Sequence, residues 1–176
     1  MTTQSWIMYL ILVLVATATP GPAVLLVMTN TTLYGKRKAL ISTIGNIFGL
    51  LCLGMISVTW LGAIIQTSAF VFDIIKYIGA GYLIYMGLKL LFTKKNNFKD
   101  GADSKSLKYS SSKKLFLQAF TVAVSNPKAI VFLMALFPQF IDTNSALVPQ
   151  FTLLIFTLMF FSFSFLMMYA LLAYKA

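Results

Sequence analysis

The sequence alternates between five long apolar stretches and shorter polar segments. Each apolar stretch reaches the roughly 20 residues that an α-helix needs to cross the hydrocarbon core of a bilayer. The predicted spans, numbered one to five, are residues 5–29, 40–65, 74–92, 115–140 and 148–174. The hydrophobicity pattern therefore predicts an all-α polytopic membrane protein with five transmembrane helices.

Helix-breaking residues interrupt two of these spans. Span one contains Pro-Gly-Pro at 20–22, and span four contains Ser-Asn-Pro-Lys at 125–128. Proline removes a backbone N–H donor, and lipid cannot hydrogen-bond the carbonyls that this leaves free, so such breaks persist only where protein or a water-lined cavity receives them. Matched breaks in corresponding parts of a membrane protein are typical of transporter binding sites. The pattern therefore favours a carrier whose site lies between the two breaks.

The two breaks offer complementary chemistry to a small zwitterion such as an amino acid. Free amides at the start of each new half-helix suit a carboxylate, and the unwound carbonyls before each break suit an ammonium group. The predicted substrate-binding residues are Thr19, Pro20, Gly21, Pro22, Asn46, Ser125, Asn126, Pro127 and Lys128.

Lys128 is the strongest single candidate among them. A lysine at the centre of a span costs roughly 2.5–3.5 kcal/mol to insert, and ionisable groups in this position usually mark functional sites. Its side chain cannot reach either membrane surface, so the ammonium needs water, a carbonyl or an anionic substrate. The alternative is a lysine that folds onto the freed carbonyls and only stabilises the break.

Composition supports the membrane assignment, and the placement of charge predicts an orientation. The chain is 59% hydrophobic and 10% charged, with a net charge of +10. Basic residues gather at 36–38, between spans one and two, and at 94–114, between spans three and four. Because cytoplasmic loops collect Lys and Arg, the N-terminus is predicted outside and the C-terminus in the cytoplasm. No nucleic-acid module accompanies these charges, so the predicted partners are the lipid bilayer and a small solute, with no nucleic acid.

Groups that could carry enzymatic chemistry are scarce. The sequence has no histidine and no glutamate, a single cysteine (Cys52), and four aspartates that fall in loops or at span ends. This set cannot form a metal cage or an acid–base carboxylate pair, and no Gly-Lys-Ser/Thr phosphate loop is present. We therefore predict that the chain is not an enzyme or an ATP-driven pump, and that it has no metal site and no cofactor.

The chain is predicted to form one integral membrane domain, residues 1–176. It divides into a first half at 1–92, a basic, Ser-rich cytoplasmic linker at 93–114 and a second half at 115–176. Since span one starts outside and span four starts inside, the two halves are predicted to be inverted relative to each other. The second half is incomplete, because it holds two spans where the first holds three.

Three groups of residues resemble the lysine exporter and homoserine/threonine exporter (LysE/RhtB) family. They are Pro20-Gly21-Pro22 with Leu33-Tyr-Gly35 and Gly45-x-x-x-Gly49, then Lys76-Tyr-Ile-Gly79-Ala-Gly-Tyr82-Leu-x-Tyr-x-Gly87, and Asn126-Pro127-Lys128-Ala-x-x-Phe132 with Phe137-Pro138-Gln139-Phe140. The resemblance implies an inner-membrane exporter of amino acids or close derivatives, driven by proton antiport and often homodimeric. The fold that it implies has six spans in two inverted halves of three helices.

The sequence departs from this family pattern in two places. The sixth span is absent, and Ser162 stands about where some members carry an acidic residue in span five. The alternative hypothesis is therefore a non-transporting membrane partner subunit, or an inactive truncated remnant of such an exporter. Export of an inorganic ion or another small solute is a third hypothesis, although the lack of acids within the spans argues against divalent cations.

Overall fold

The computed structural model describes residues 3–92 and 111–175. This part of the chain contains only α-helices and no strand, which confirms the predicted all-α class. The predicted linker lies outside the described residues as far as residue 110. In chain order the helices are α1 (Thr3–Ala18), α2 (Pro22–Tyr34), α3 (Lys36–Thr67), α4 (Ala69–Phe92), α5 (Ser112–Val124), α6 (Pro127–Phe140) and α7 (Leu147–Lys175).

The long apolar helices match the predicted spans closely. The helices α3 and α7 contain 32 and 29 residues and are each long and apolar enough to cross a membrane. The pairs α1–α2 and α5–α6 also pass this test when each pair is taken as one span, and they bend by 49° and 51° at their junctions. The helix α4, which corresponds to predicted span three, does not belong to this set, so its crossing of the membrane stays a prediction.

Local proline chemistry explains the break between α1 and α2. The helix α1 ends at Ala18 because Pro20 disfavours helical backbone at Thr19 and supplies no N–H of its own. Gly21 is extended, with φ −147° and ψ −170°, and Pro22 is the first residue of α2. Proline fits at the start of a helix, where its missing N–H would have no helical partner.

The second break, between α5 and α6, also has a proline at the start of the following helix, and a side-chain cap is added. The helix α5 ends at Val124, and Pro127 opens α6. The Asn126 side-chain oxygen accepts a hydrogen bond from the backbone N–H of Lys128 at 3.0 Å. Asparagine at this position satisfies one of the amides that a new helix leaves free. Adjacent residues, Asn126 and Pro127, therefore specify where α6 begins.

Glycines bring α3 close to α5. A Cβ atom at Gly45 would overlap the carbonyl oxygen of Phe116, and one at Gly49 would lie 2.6 Å from the Cβ of Ala123. Since even a methyl group has no room there, the two backbones are in direct contact. Small residues allow such close approach inside a membrane. The helix α3 therefore supports the first half of the second bent pair.

The main core lies where α1, α6 and α7 meet. Tyr9, Leu133, Phe137 and Leu154 are all fully or almost fully buried in it. The Tyr9 hydroxyl donates to the backbone carbonyl of Leu154 at 2.6 Å, which satisfies the one polar atom that this ring brings into the core. This packing fixes α7 alongside the two broken spans.

The turn from α6 to α7 is closed by a buried glutamine. The Gln150 side chain accepts from the backbone N–H of Asp142 at 2.9 Å and donates to the Asp142 carbonyl at 2.9 Å. The Asp142 carboxylate in turn accepts from the Ser145 hydroxyl at 2.8 Å and from the Asn144 N–H at 3.0 Å. These two bonds favour the charged form and lower the pKa of Asp142.

Candidate substrate-binding cavity

A cavity of about 100 Å³ lies between the two helix breaks. Its walls come from the end of α1, the start of α2, the middle of α3, the α5–α6 junction and one face of α7. The lining residues are Ala16, Thr17, Thr19, Gly21, Ala23, Val24, Asn46, Leu50, Ala123, Asn126, Lys128, Ala129, Phe132, Leu133, Leu158, Ser162 and Leu166. Both interrupted spans therefore face one shared space.

The Lys128 side chain connects the two breaks across this cavity. Its Nζ atom donates to the carbonyl oxygens of Ala16 and Thr19, each at 3.0 Å. These carbonyls stand at the end of α1, where the last carbonyls of a helix have no helical partner. Neither Asp73 nor Asp142, the acidic residues within the described ranges, lines the cavity. The ammonium is thus held by backbone dipoles and by no lining carboxylate.

Tyr169 of α7 holds a third carbonyl at the end of α1. Its hydroxyl donates to the backbone oxygen of Ala18 at 2.7 Å. Together with the two bonds from Lys128, this bond gives side-chain partners to carbonyls that the break would otherwise leave free. The end of α1 is therefore fixed by one residue of α6 and one of α7.

We predict that Tyr169→Phe destabilises the protein modestly. The ring is kept, but the Ala18 carbonyl loses its donor, and interhelical hydrogen bonds in membranes contribute on average about 0.6 kcal/mol, with a maximum near 1.7 kcal/mol. Thermal unfolding in detergent measures the change. Tyr174→Phe is the control, because the Tyr174 ring stacks against Lys36 through its face and phenylalanine retains that face. An equal loss in both variants would contradict the role of the Tyr169 hydroxyl.

Asn46 places a side-chain amide in the cavity wall. It is only 6% exposed, and it forms no hydrogen bond with any residue of the described ranges. One turn earlier, Ser42 receives the Asn30 amide at 2.7 Å, so the neighbouring polar pair is satisfied. Asn46 is therefore available to a molecule that enters the cavity.

The wall formed by α7 was not predicted from the sequence. Leu158, Ser162 and Leu166 recur every four residues and so lie on one face of this helix. Because α7 is apolar on nearly all sides, its sequence does not show which face points inward. The only local signal was Ser162, which stands about where the resemblance places an acidic residue in span five.

The predicted site residues fall into two groups in the structure. Those that line the cavity are Thr19, Gly21, Asn46, Asn126 and Lys128. Those that do not line it, and are exposed, are Pro20, Pro22, Ser125 and Pro127. The prolines act on the backbone: they end one helix and start the next, and thereby free the carbonyls that Lys128 binds.

The chain also has clear relatives. It matches the model of the LysE type translocator family over residues 14–175. A protein of Vibrio cholerae serotype O1, described as an uncharacterized membrane protein, is 36% identical over 152 residues, which are 85% of this chain and 71% of that protein. The uncharacterized membrane protein YrhP of Bacillus subtilis strain 168 is 34% identical over 140 residues, which are 77% of this chain and 67% of YrhP. No solved structure gives a significant match. The chain therefore belongs to the LysE type translocator family.

Proposed function

We propose that this membrane transporter exports amino acids or close derivatives from the cytoplasm across the inner membrane, and that the cavity between the breaks is its substrate site. The observation that carries the proposal is the position of Lys128. Its ammonium lies in a mostly apolar cavity and is bound by two backbone carbonyls. A cation held in this way can exchange its partners for a charged solute at little net cost, whereas a cation in a tight salt bridge could not.

An α-amino acid has the groups needed for such an exchange. Its carboxylate would bind the Lys128 ammonium, as a charge-assisted hydrogen bond to a cationic donor. The carbonyls of Ala16 and Thr19 would then be free to accept hydrogen bonds from the ammonium of the substrate. Each polar group that loses a partner would gain another, so no buried group would be left unsatisfied. A simple anion would leave both carbonyls unpaired.

The orientation and the energy source are part of the same proposal. The basic segments at 36–38 and 94–114 favour a cytoplasmic location for these loops, which would place the N-terminus outside. The resemblance to the LysE/RhtB family favours proton antiport. We therefore expect an inward proton gradient to accelerate export from the cytoplasmic side.

Flux measurements on the purified protein test the proposal. Proteoliposomes loaded with radiolabelled alanine are expected to release it faster than protein-free liposomes. Release should be faster again when a proton gradient is directed into the vesicles, opposite to the movement of alanine. Release that ignores the gradient would contradict antiport but not transport. If no amino acid moves above the protein-free level, the exporter proposal fails, and the protein would behave as a non-transporting subunit or an inactive remnant.

A further inference from the structure

We propose, on the basis of the function proposed above, that the site is selective for small amino acids with uncharged side chains, about the size of glycine, alanine or serine. Three features of the cavity carry this inference independently: its charge, its volume and the amide of Asn46, which bonds to none of the described residues. Each of them acts on a different part of the substrate.

The charge of the cavity opposes basic substrates. Lys128 is the one charged side chain among the lining residues, and no carboxylate accompanies it in the walls that the structure describes. A substrate with a second ammonium group would bring a like charge into the low-dielectric space around Lys128, where repulsion is poorly screened. A substrate with a neutral side chain is not repelled by Lys128 in this way.

The volume of the cavity opposes large substrates. An engineered protein cavity of about 150 Å³ holds benzene, which has about six heavy atoms. Alanine has the same number of heavy atoms as benzene. The present cavity is smaller, at about 100 Å³, but it is partly open, so a molecule about the size of alanine would fill it and reach into its opening. Much of its wall consists of the apolar side chains of Leu50, Phe132, Leu158 and Leu166. A leucine-sized side chain would have to displace these buried residues.

Asn46 adds a directional contact for a short polar group. Its amide offers two donors and an acceptor, and none of them is used by the described residues. A substrate held at Lys128 would place either its carboxylate or a short hydroxyl-bearing side chain within the space that Asn46 lines. Hence serine is expected to bind at least as well as alanine, although it is more polar.

A substrate panel on the wild-type protein tests the inference directly. Proteoliposomes loaded with unlabelled amino acid are offered radiolabelled alanine, serine, glycine, leucine or lysine, and the initial exchange rates are compared. We expect alanine, serine and glycine to exchange at least tenfold faster than leucine and lysine. Lysine or leucine exchange as fast as alanine exchange would overturn the selectivity and leave the exporter proposal intact. The absence of exchange for every amino acid would overturn both.

Two variants separate the volume from the charge. Leu158→Ala enlarges the cavity and is expected to raise the leucine-to-alanine rate ratio at least fivefold. Leu154→Ala, one turn away on α7, removes the same atoms from the core outside the cavity and should leave the ratio unchanged. Asn46→Asp is nearly isosteric and adds a carboxylate, so it should raise the lysine-to-alanine ratio. Unchanged ratios in folded Leu158→Ala and Asn46→Asp proteins would contradict the size and charge arguments, respectively.

Discussion

Lys128→Met is expected to slow amino acid exchange in proteoliposomes by about tenfold or more, because it removes the cation that would bind the substrate carboxylate. Methionine has a similar length and no charge, so the volume of the cavity should change little. Hydrogen bonds to charged groups contribute about 1.5–3 kcal/mol, so the loss of this one contact should weaken substrate binding by roughly 10- to 150-fold. Initial exchange rates of alanine at concentrations below KM measure the effect.

Two further lysine variants control for this result. Lys113→Met changes an exposed lysine in the first turn of α5, on the same bent pair but outside the cavity, and should exchange alanine at the wild-type rate. Lys128→Arg keeps the positive charge but changes its shape, so partial exchange is expected. Full exchange by Lys128→Met, at wild-type protein levels, would refute the assigned role of the ammonium.

The same variants also address the alternative hypothesis, that Lys128 only stabilises the break. In Lys128→Met the carbonyls of Ala16 and Thr19 lose their donor, but the cost of burying an ammonium is removed as well. These two effects have opposite signs, so we expect a change in unfolding temperature of only a few degrees. A large loss of stability with an unchanged KM for alanine would support the purely structural role.

The positions of both breaks were predictable from the sequence because proline acts on its immediate neighbours. Pro20 and Pro127 end or start helices through the missing N–H and through the restriction on the preceding residue, whatever the tertiary context. The position of Lys128 at the break could be read from the sequence as well, and it made Lys128 a candidate because a charge in the middle of an apolar stretch is costly wherever the helix lies. The family assignment suggested by the motifs is confirmed by the match over residues 14–175.

The contacts that complete the cavity could not be predicted, because they join residues far apart in the chain. The bond between Lys128 and the Ala16 carbonyl depends on how α6 crosses α1, which no local pattern specifies. Thr19 was predicted as a site residue, but its hydroxyl bonds back to Val15, and its backbone carbonyl is the group that binds Lys128. The inward face of α7 was hidden because that helix is apolar on nearly all sides.

The contact between α3 and α5 provides the second large expected effect. Gly45→Ala should destabilise the protein by at least about 1–3 kcal/mol, the usual cost of forcing extra atoms into a packed interior. The new methyl group would overlap the Phe116 carbonyl oxygen and lie 3.0 Å from its Cα, so only a backbone shift can accommodate it. Because α5 leads directly into the break before Lys128, amino acid exchange should fall as well.

Gly62→Ala is the matched control on the same helix. A Cβ atom at Gly62 would have no heavy atom within 4 Å, so this variant gains the helix propensity of alanine without a clash. It should be neutral or more stable, by up to about 1 kcal/mol. Thermal unfolding in detergent compares the two variants. Equal unfolding temperatures would show that α3 and α5 are not in backbone contact.

A compensating substitution distinguishes side-chain clashes from backbone clashes along this contact. At Gly49 a new Cβ would lie 2.6 Å from the Cβ of Ala123 and 2.9 Å from the Phe120 carbonyl oxygen. Ala123→Gly removes the first of these obstacles, so it should partly restore the stability of Gly49→Ala. No side-chain truncation removes the backbone oxygen of Phe116, and Phe116→Ala should therefore fail to rescue Gly45→Ala. Rescue at position 45 would place the clash in a side chain and would contradict the close approach of the two backbones.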